Sequence, residues 1–251
     1  MTDHLRQDWS GSRFEEVDFS RSRFHNVYFQ DVVLRGAFLQ RVDIDGYVDG
    51  LVVNGVDVGP LVEAELDRRD PDRALTRPHD ADGFRTAWQV VARRWDAAVQ
   101  RARALPEEDL HQRVDGEYSF VETLRHLVFA TDAWVRRAVL GQPVPYHPLG
   151  LPHTEMPPDT PHVPNDHDAR PSLEQILAIR ADRMRTVARV LDELTDEQLD
   201  AGTTPVAEPG YPESESFPVR RCLGAIISEE WSHREFAERD LGVLERRRSE
   251  Q

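Results

Sequence analysis

The stretch SEEWSHREF, residues 228–236, sets Glu229 four residues before His233. In a helix that spacing is about one turn, so a carboxylate and an imidazole would project together. The surrounding segment, PVRRCLGAIISEEWSHREFAERDLGVLERRR, has a helical apolar stripe through Leu223, Ile226, Ile227, Ala237, Leu241 and Leu244. His233 falls within that stripe, Glu229 at its edge and Glu230 nearer its middle. An unpaired carboxylate beside a core is costly, and the cost falls when it is hydrogen-bonded, ion-paired or bound to a metal. Two arrangements fit: an interhelical ion pair to an arginine beside a core histidine, or part of a metal site. Glu230, three residues before His233, is the alternative carboxylate.

Composition narrows the chemistry. The chain has 251 residues, 39% hydrophobic and 31% charged, enough for a sizeable core. A net charge of -15 argues against partners that want a basic surface, so neither nucleic acid nor an anionic membrane is expected. All 31 basic residues are arginine, which removes lysine Schiff-base chemistry and lysine-bearing phosphate loops. The Arg, Ala and Pro bias is that of a high-GC bacterial genome. Cys222 is the single cysteine, which excludes an internal disulfide framework; it reads as a small buried hydrophobe. No apolar run approaches the roughly 20 residues that span a bilayer, and MTDHLRQDWSGSRF lacks the apolar core of a secretory signal. The expected location is the cytoplasm.

Four helices must position the candidate residues. DADGFRTAWQVVARRWDAAVQRARAL carries Phe84, Trp88, Val91, Trp95 and Val99 on one face. In YSFVETLRHLVFATDAWVRRAVLG, Ser119 and Glu122 form a capping box and Gly141 is a stop, with Asp132 as a surface charge and Trp134 in the core. SLEQILAIRADRMRTVARVLDEL starts at a Ser172 cap, and the segment from Pro218 is the fourth helix. This pattern predicts a mainly α fold with a four-helix up-down bundle over residues 81–251, after a linker at 63–80. Two connections are long. Residues 141–171 hold nine of the 17 prolines and four of the ten histidines, His147, His153, His162 and His167. These read as solvated loop histidines, with a fourth ligand or a proton shuttle as the alternative role. TTPVAEPGYPESESFP is the second strap, and both are expected to cover one end of the bundle. Arg220 and Arg221 are weaker candidates for receiving an anionic substrate.

Upstream, the periodicity is five. Phe14, Phe19, Phe24, Phe29, Leu34, Leu39 and Ile44 recur in register, each preceded two residues earlier by Ser12, Val17, Ser22, Val27, Val32, Ala37 or Val42. Neither a 3.6 nor a 2.0 period generates this. It resembles the pentapeptide-repeat family, which implies a short right-handed quadrilateral β-helix, here assigned to a module over residues 1–62. Seven repeats make fewer than two coils, so the stack should lean on another surface, such as a second copy in a homodimer. DNA mimicry, known for acidic members, suits so short a stack poorly.

YSFVETLRHLVFATDAW, followed about a hundred residues later by EEWSHREF, resembles the DinB/YfiT-like superfamily of metal-binding four-helix bundles, over roughly residues 80–245. The resemblance implies a divalent-metal triad of His126, Glu229 and His233, with glutamate in the middle position as in the mycothiol-dependent maleylpyruvate isomerase branch. His126 lies on the side of its helix away from Leu124, Val128 and Val135, together with Thr123, Ala130 and Ala133. Three protein ligands leave an open position, the arrangement of a catalytic metal. Zinc suits two imidazoles and a carboxylate, and nickel, iron or manganese would also accept them. The function implied is a metal-dependent enzyme acting on a small molecule, a transferase or isomerase that uses a low-molecular-weight thiol such as mycothiol as co-substrate. The rival is a non-catalytic bundle whose repeat module mediates dimerisation or partner binding.

Overall fold

A computed structural model describes residues 4–5, 7–24 and 27–250. The chain divides into two compact units, residues 1–48 and 49–251.

In the first unit the five-residue period is a backbone property as well as a side-chain one. Gly11, Glu16, Arg21, Asp31, Gly36, Arg41 and Gly46 all have positive φ, so the chain turns at five-residue intervals. Turn bonds run from Ser12 N to Trp9 O and from Ser22 N to Phe19 O, both 3.1 Å. The rings of Trp9, Phe14, Phe19, Phe24 and Phe29 follow one another at centroid distances of 5.6–5.8 Å. Trp9 thus extends the register one repeat further than the sequence reading took it. The row is half-exposed, with Phe19 at 44% and Phe29 at 64%. The described residues of this unit carry no β-ladder.

The second unit opens with a hairpin, β1 (Val52–Val53) paired antiparallel to β2 (Val56–Asp57), turned by Asn54 and Gly55 at positive φ. Two short helices follow in the stretch expected to hold the linker, α1 (Gly59–Arg69) and α2 (Pro71–Leu75). Four long helical elements then enclose the core: α3 (Ala81–Ala102), α4 (Phe120–Thr131) with its extension, α5 (Leu173–Glu193) and α7 (Val219–Ser249). The short α6 (Asp196–Leu199) precedes the second strap. Local chemistry sets the starts. Asp80 caps α3 through Gly83 N, Ser119 and Glu122 form a reciprocal box, and so do Ser172 and Gln175.

Helix α4 is the central element. Eleven of its twelve residues are buried, Glu122 excepted, because α5 and α7 pack against it and the first strap crosses it. It continues as a π-helical turn over Asp132–Val139, in which Leu140 N donates to Val135 O at 2.9 Å. Gly141, at φ +68°, ends the run. The predicted stripe of α7 is buried as expected, and Glu230, Trp231 and Arg234 fill its middle turns.

Two buried arginines fasten the straps. Arg125 donates to the carbonyls of Leu149 (2.9 Å), Ala169 (2.8 Å) and Asp166. Arg137 donates to Pro212 (3.1 Å) and Pro143 (2.5 Å), and to Glu208, gripping both straps at once. A fixed fork of five N–H donors suits this task, since a buried guanidinium needs several acceptors. Asp132 corrects the sequence reading. It is fully buried, receiving Arg183 at 3.0 and 3.1 Å, Arg136 at 3.1 Å and the His147 N–H at 2.9 Å. Arg183 and His147 come from α5 and the first strap, which a helical wheel of its own segment does not show.

Candidate metal centre

His126 stands on the second turn of α4, and Glu229 and His233 lie one turn apart on the facing α7. Their ligand atoms all lie within 4.8 Å of one another. Glu229 Oε2 is 3.2 Å from His126 Nε2 and 3.1 Å from His233 Nε2, and the two imidazole centroids are 4.7 Å apart. Two donors on a tetrahedral ion at zinc-like bond lengths sit about 3.3 Å apart, so these separations fit a shared cation. The cluster is buried on the His126 side and open on the other: the His126 side chain is 8% exposed and that of Glu229 35%.

The state of His126 is fixed by its other nitrogen. Nδ1 lies 3.0 Å from the Leu151 carbonyl oxygen. That oxygen can only accept, so Nδ1 carries a proton. In the neutral ring Nε2 is then a bare lone pair aimed at a carboxylate oxygen. Two acceptors at that distance repel unless a proton or a cation lies between them. Histidine ligands typically donate their remote N–H to a carbonyl in this way. Burial alone would raise the Glu229 carboxyl. Its contacts to His126 and His233 outweigh burial and hold it well below the usual carboxylate range. The donor set therefore fits a divalent cation by chemistry as well as spacing.

Glu230 points elsewhere. It is 1% exposed and receives Arg180 at 2.9 and 2.5 Å, with that guanidinium 4.6 Å over the Trp95 ring. Trp95 Nε1 donates to the Glu230 carbonyl at 3.1 Å. Of the arrangements considered for SEEWSHREF, the interhelical ion pair occurs at Glu230, while Glu229 joins the histidine cluster.

The first strap crosses directly over the site. Besides the Leu151 contact, the Leu151 N–H donates to Arg125 O at 3.1 Å and Pro152 O accepts from Tyr118 at 3.2 Å. Of the four strap histidines, His162 and His167 are exposed. His147 accepts from Leu149 N at 3.1 Å. His153 is half-buried near the triad; burial, and next the neighbouring His126, push its imidazole down. Arg220 binds Asp200 at 2.7 Å and the His79 carbonyl, while Arg221 lies over Phe217, so neither joins the site. Cys222 is fully buried, and burial pushes its thiol up to about 11, which suits packing rather than reactivity.

Sequence reasoning missed the aromatic surround. Tyr118 lies 5.7 Å and Phe129 6.5 Å from the His126 ring, Phe236 lies 6.2 Å from His233, and Tyr211 stacks on Phe129 at 5.9 Å. Tyr118 directly precedes the capping box, and Phe129 lies three residues after His126 on the same helix; those positions were the available signals. Tyr211 sits in a strap whose path the sequence does not reveal.

No helix among the described residues is long and apolar enough to cross a membrane. Among curated proteins none matches the chain. The sequence profile of the DinB superfamily matches residues 90–237, from within α3 to beyond His233, and so takes in all three clustered residues. That match spans more than half of the chain and contains all of α4 and α5 and the interhelical histidine–glutamate cluster: the protein belongs to the DinB superfamily.

Proposed function

We propose that the protein is a divalent-metal-dependent enzyme in which His126, Glu229 and His233 hold the ion, zinc in first place, and a small-molecule substrate enters from the open side. The supporting observation is the convergence of three ligand atoms within 4.8 Å, with His126 Nε2 facing Glu229 Oε2 at 3.2 Å while its Nδ1 is engaged by the Leu151 carbonyl. A bound ion in such a site supplies Lewis acidity, lowering the pKa of a thiol or water or polarising a carbonyl. The chain's own part is to fix the ligands: Leu151 O orients His126, the helical turn sets Glu229 and His233, and Tyr118 and Phe236 flank the two imidazoles. The reaction class we assign is thiol-dependent transfer or isomerisation, with mycothiol as the co-substrate in a bacterial cytoplasm.

Metal analysis of protein purified without chelators tests the reading. Stoichiometric metal is expected in the wild type and should be lost in both His126→Ala and His233→Ala. Its absence from the wild type means that a second proton on His126 makes a plain ion pair, and the proposal falls. On cobalt-loaded protein, a low-molecular-weight thiol should produce a thiolate-to-cobalt charge-transfer band. A loaded protein without that band removes the thiol step alone.

For the described residues up to Val48 we propose a short quadrilateral β-helix, ahead in sequence of the bundle domain at 81–251. It is supported by the left-handed residue at five-residue intervals and by the continuous ring row. The half-exposed row also favours a second role, pairing with another copy in a homodimer. Sedimentation of the full chain against a Phe19→Asp, Phe29→Asp variant tests this; identical monomeric profiles remove the dimer.

A further inference from the structure

Three tyrosines lie near the triad, Tyr118 against His126 and Tyr146 and Tyr211 against Phe129, and their hydroxyls are used differently. That of Tyr118 donates to Pro152 O at 3.2 Å. That of Tyr146 donates to Tyr211 O at 2.6 Å and accepts from Tyr211 N at 2.8 Å. The hydroxyl of Tyr211 itself has no hydrogen-bond partner among the described residues. The hydroxyl is reachable from solvent, so its partner is water or a ligand rather than a group of this chain.

Everything else about Tyr211 is fixed. Its ring stacks on Phe129 at 5.9 Å and 25°, meets Trp134 edge-on at 5.9 Å and lies 5.6 Å from His153. Tyr146 holds its backbone N–H and carbonyl, and Arg137 holds the carbonyls of Glu208 and Pro212 on either side. Phe129 in turn lies against His126. A rigidly placed, half-buried donor with nothing of its own chain to bind, one ring away from the ligand cluster, is the arrangement of a group that meets a ligand.

We propose that Tyr211 is a substrate-contacting hydrogen-bond donor, its phenol meeting an oxygen of the molecule seated on the open side of His126, Glu229 and His233. The site therefore takes small molecules with a carboxylate, carbonyl or enolate oxygen, held between the ion and the phenol. This inference rests on the metal reading above. A phenol, which ordinarily titrates at about pH 10, is a hydrogen-bond donor at neutral pH. Preorganised donors of this kind act where negative charge develops on oxygen.

Cobalt-loaded protein titrated with acetohydroxamate, followed by the cobalt visible absorption, tests it. Tyr211→Phe should keep full cobalt content and an unchanged melting temperature but bind the probe about tenfold more weakly or worse, the loss expected for one hydrogen bond to a charged acceptor. Tyr118→Phe, whose hydroxyl is already engaged by Pro152, should bind the probe as the wild type does. Equal affinities for wild type and Tyr211→Phe at full cobalt content overturn the inference, as does an equal loss in Tyr118→Phe. A cobalt-loaded wild type that does not respond to the probe overturns it while leaving the metal reading intact. A wild type that takes up no cobalt overturns both.

Discussion

The two units handle their interiors in opposite ways. The described residues from 9 to 29 repeat one solution, a ring every five residues with left-handed turns at Gly11, Glu16 and Arg21, and leave the rings half-exposed. The helical unit repeats nothing and buries unlike groups: Arg180 with Glu230, Asp132 with Arg183, and Arg125 and Arg137 on carbonyls alone. In the first unit each contact is small and has a neighbour like itself. In the second, single pairs have no substitute, since a charge stranded in the core costs far more than its intact pair contributes. The repeat unit should therefore respond to substitution in small steps, and the helical unit abruptly.

The largest effect is expected at Glu230. Glu230→Ala leaves Arg180 buried and unpaired and should cost about 3–5 kcal/mol in a denaturant titration. Replacing both partners with methionine should recover most of that loss, as apolar pairs of similar volume commonly do. A double variant as unstable as the single one would break the contrast drawn above. Phe19→Ala, removing one ring with an edge contact on either side, should cost about 1–2 kcal/mol. A loss there as large as at Glu230 would show that the row is not a sum of small terms. Glu122→Gln should cost about 1 kcal/mol, because it removes the carboxylate charge that Arg113 and the Ser119 N–H bind while a glutamine can still close the box. Burial would raise the Glu122 carboxyl, but Arg113 and the Ser119 N–H hold it below its ordinary value. Its folded pKa being the lower one, its contribution is complete above the ordinary glutamate range and is lost as pH falls through the depressed value. The variant's deficit should therefore shrink on acidification; a deficit that grows would contradict the assignment.

Helix starts were legible because caps are local: Ser119 with Glu122, and Ser172, act within one turn. The stripe of α7 was legible for the same reason, as was the five-residue register of the first unit. What failed to read out depends on distant partners. Glu229 and Glu230 differ by one residue, and the choice between them is made by Arg180 on α5 and His126 on α4. The side of α4 that carries His126 looked like the back of an amphipathic helix; it is covered by α7 and the first strap, so the whole helix is interior. The π-helical turn and the burial of Asp132 likewise depend on Arg183 and the strap. The β-helix proposed for the first unit and the proposed metal were drawn from family resemblance, and composition and spacing alone did not supply them.

The grip of Arg125 and Arg137 on the two straps has a consequence for how the site's lining can vary. Both side chains hold peptide oxygens, a feature every residue type provides. The loops they secure can be rewritten at almost any side chain without loosening their attachment, and Tyr211 rides on a stretch anchored in this way. New linings could be exchanged over an unchanged triad, provided the two guanidinium clamps stay.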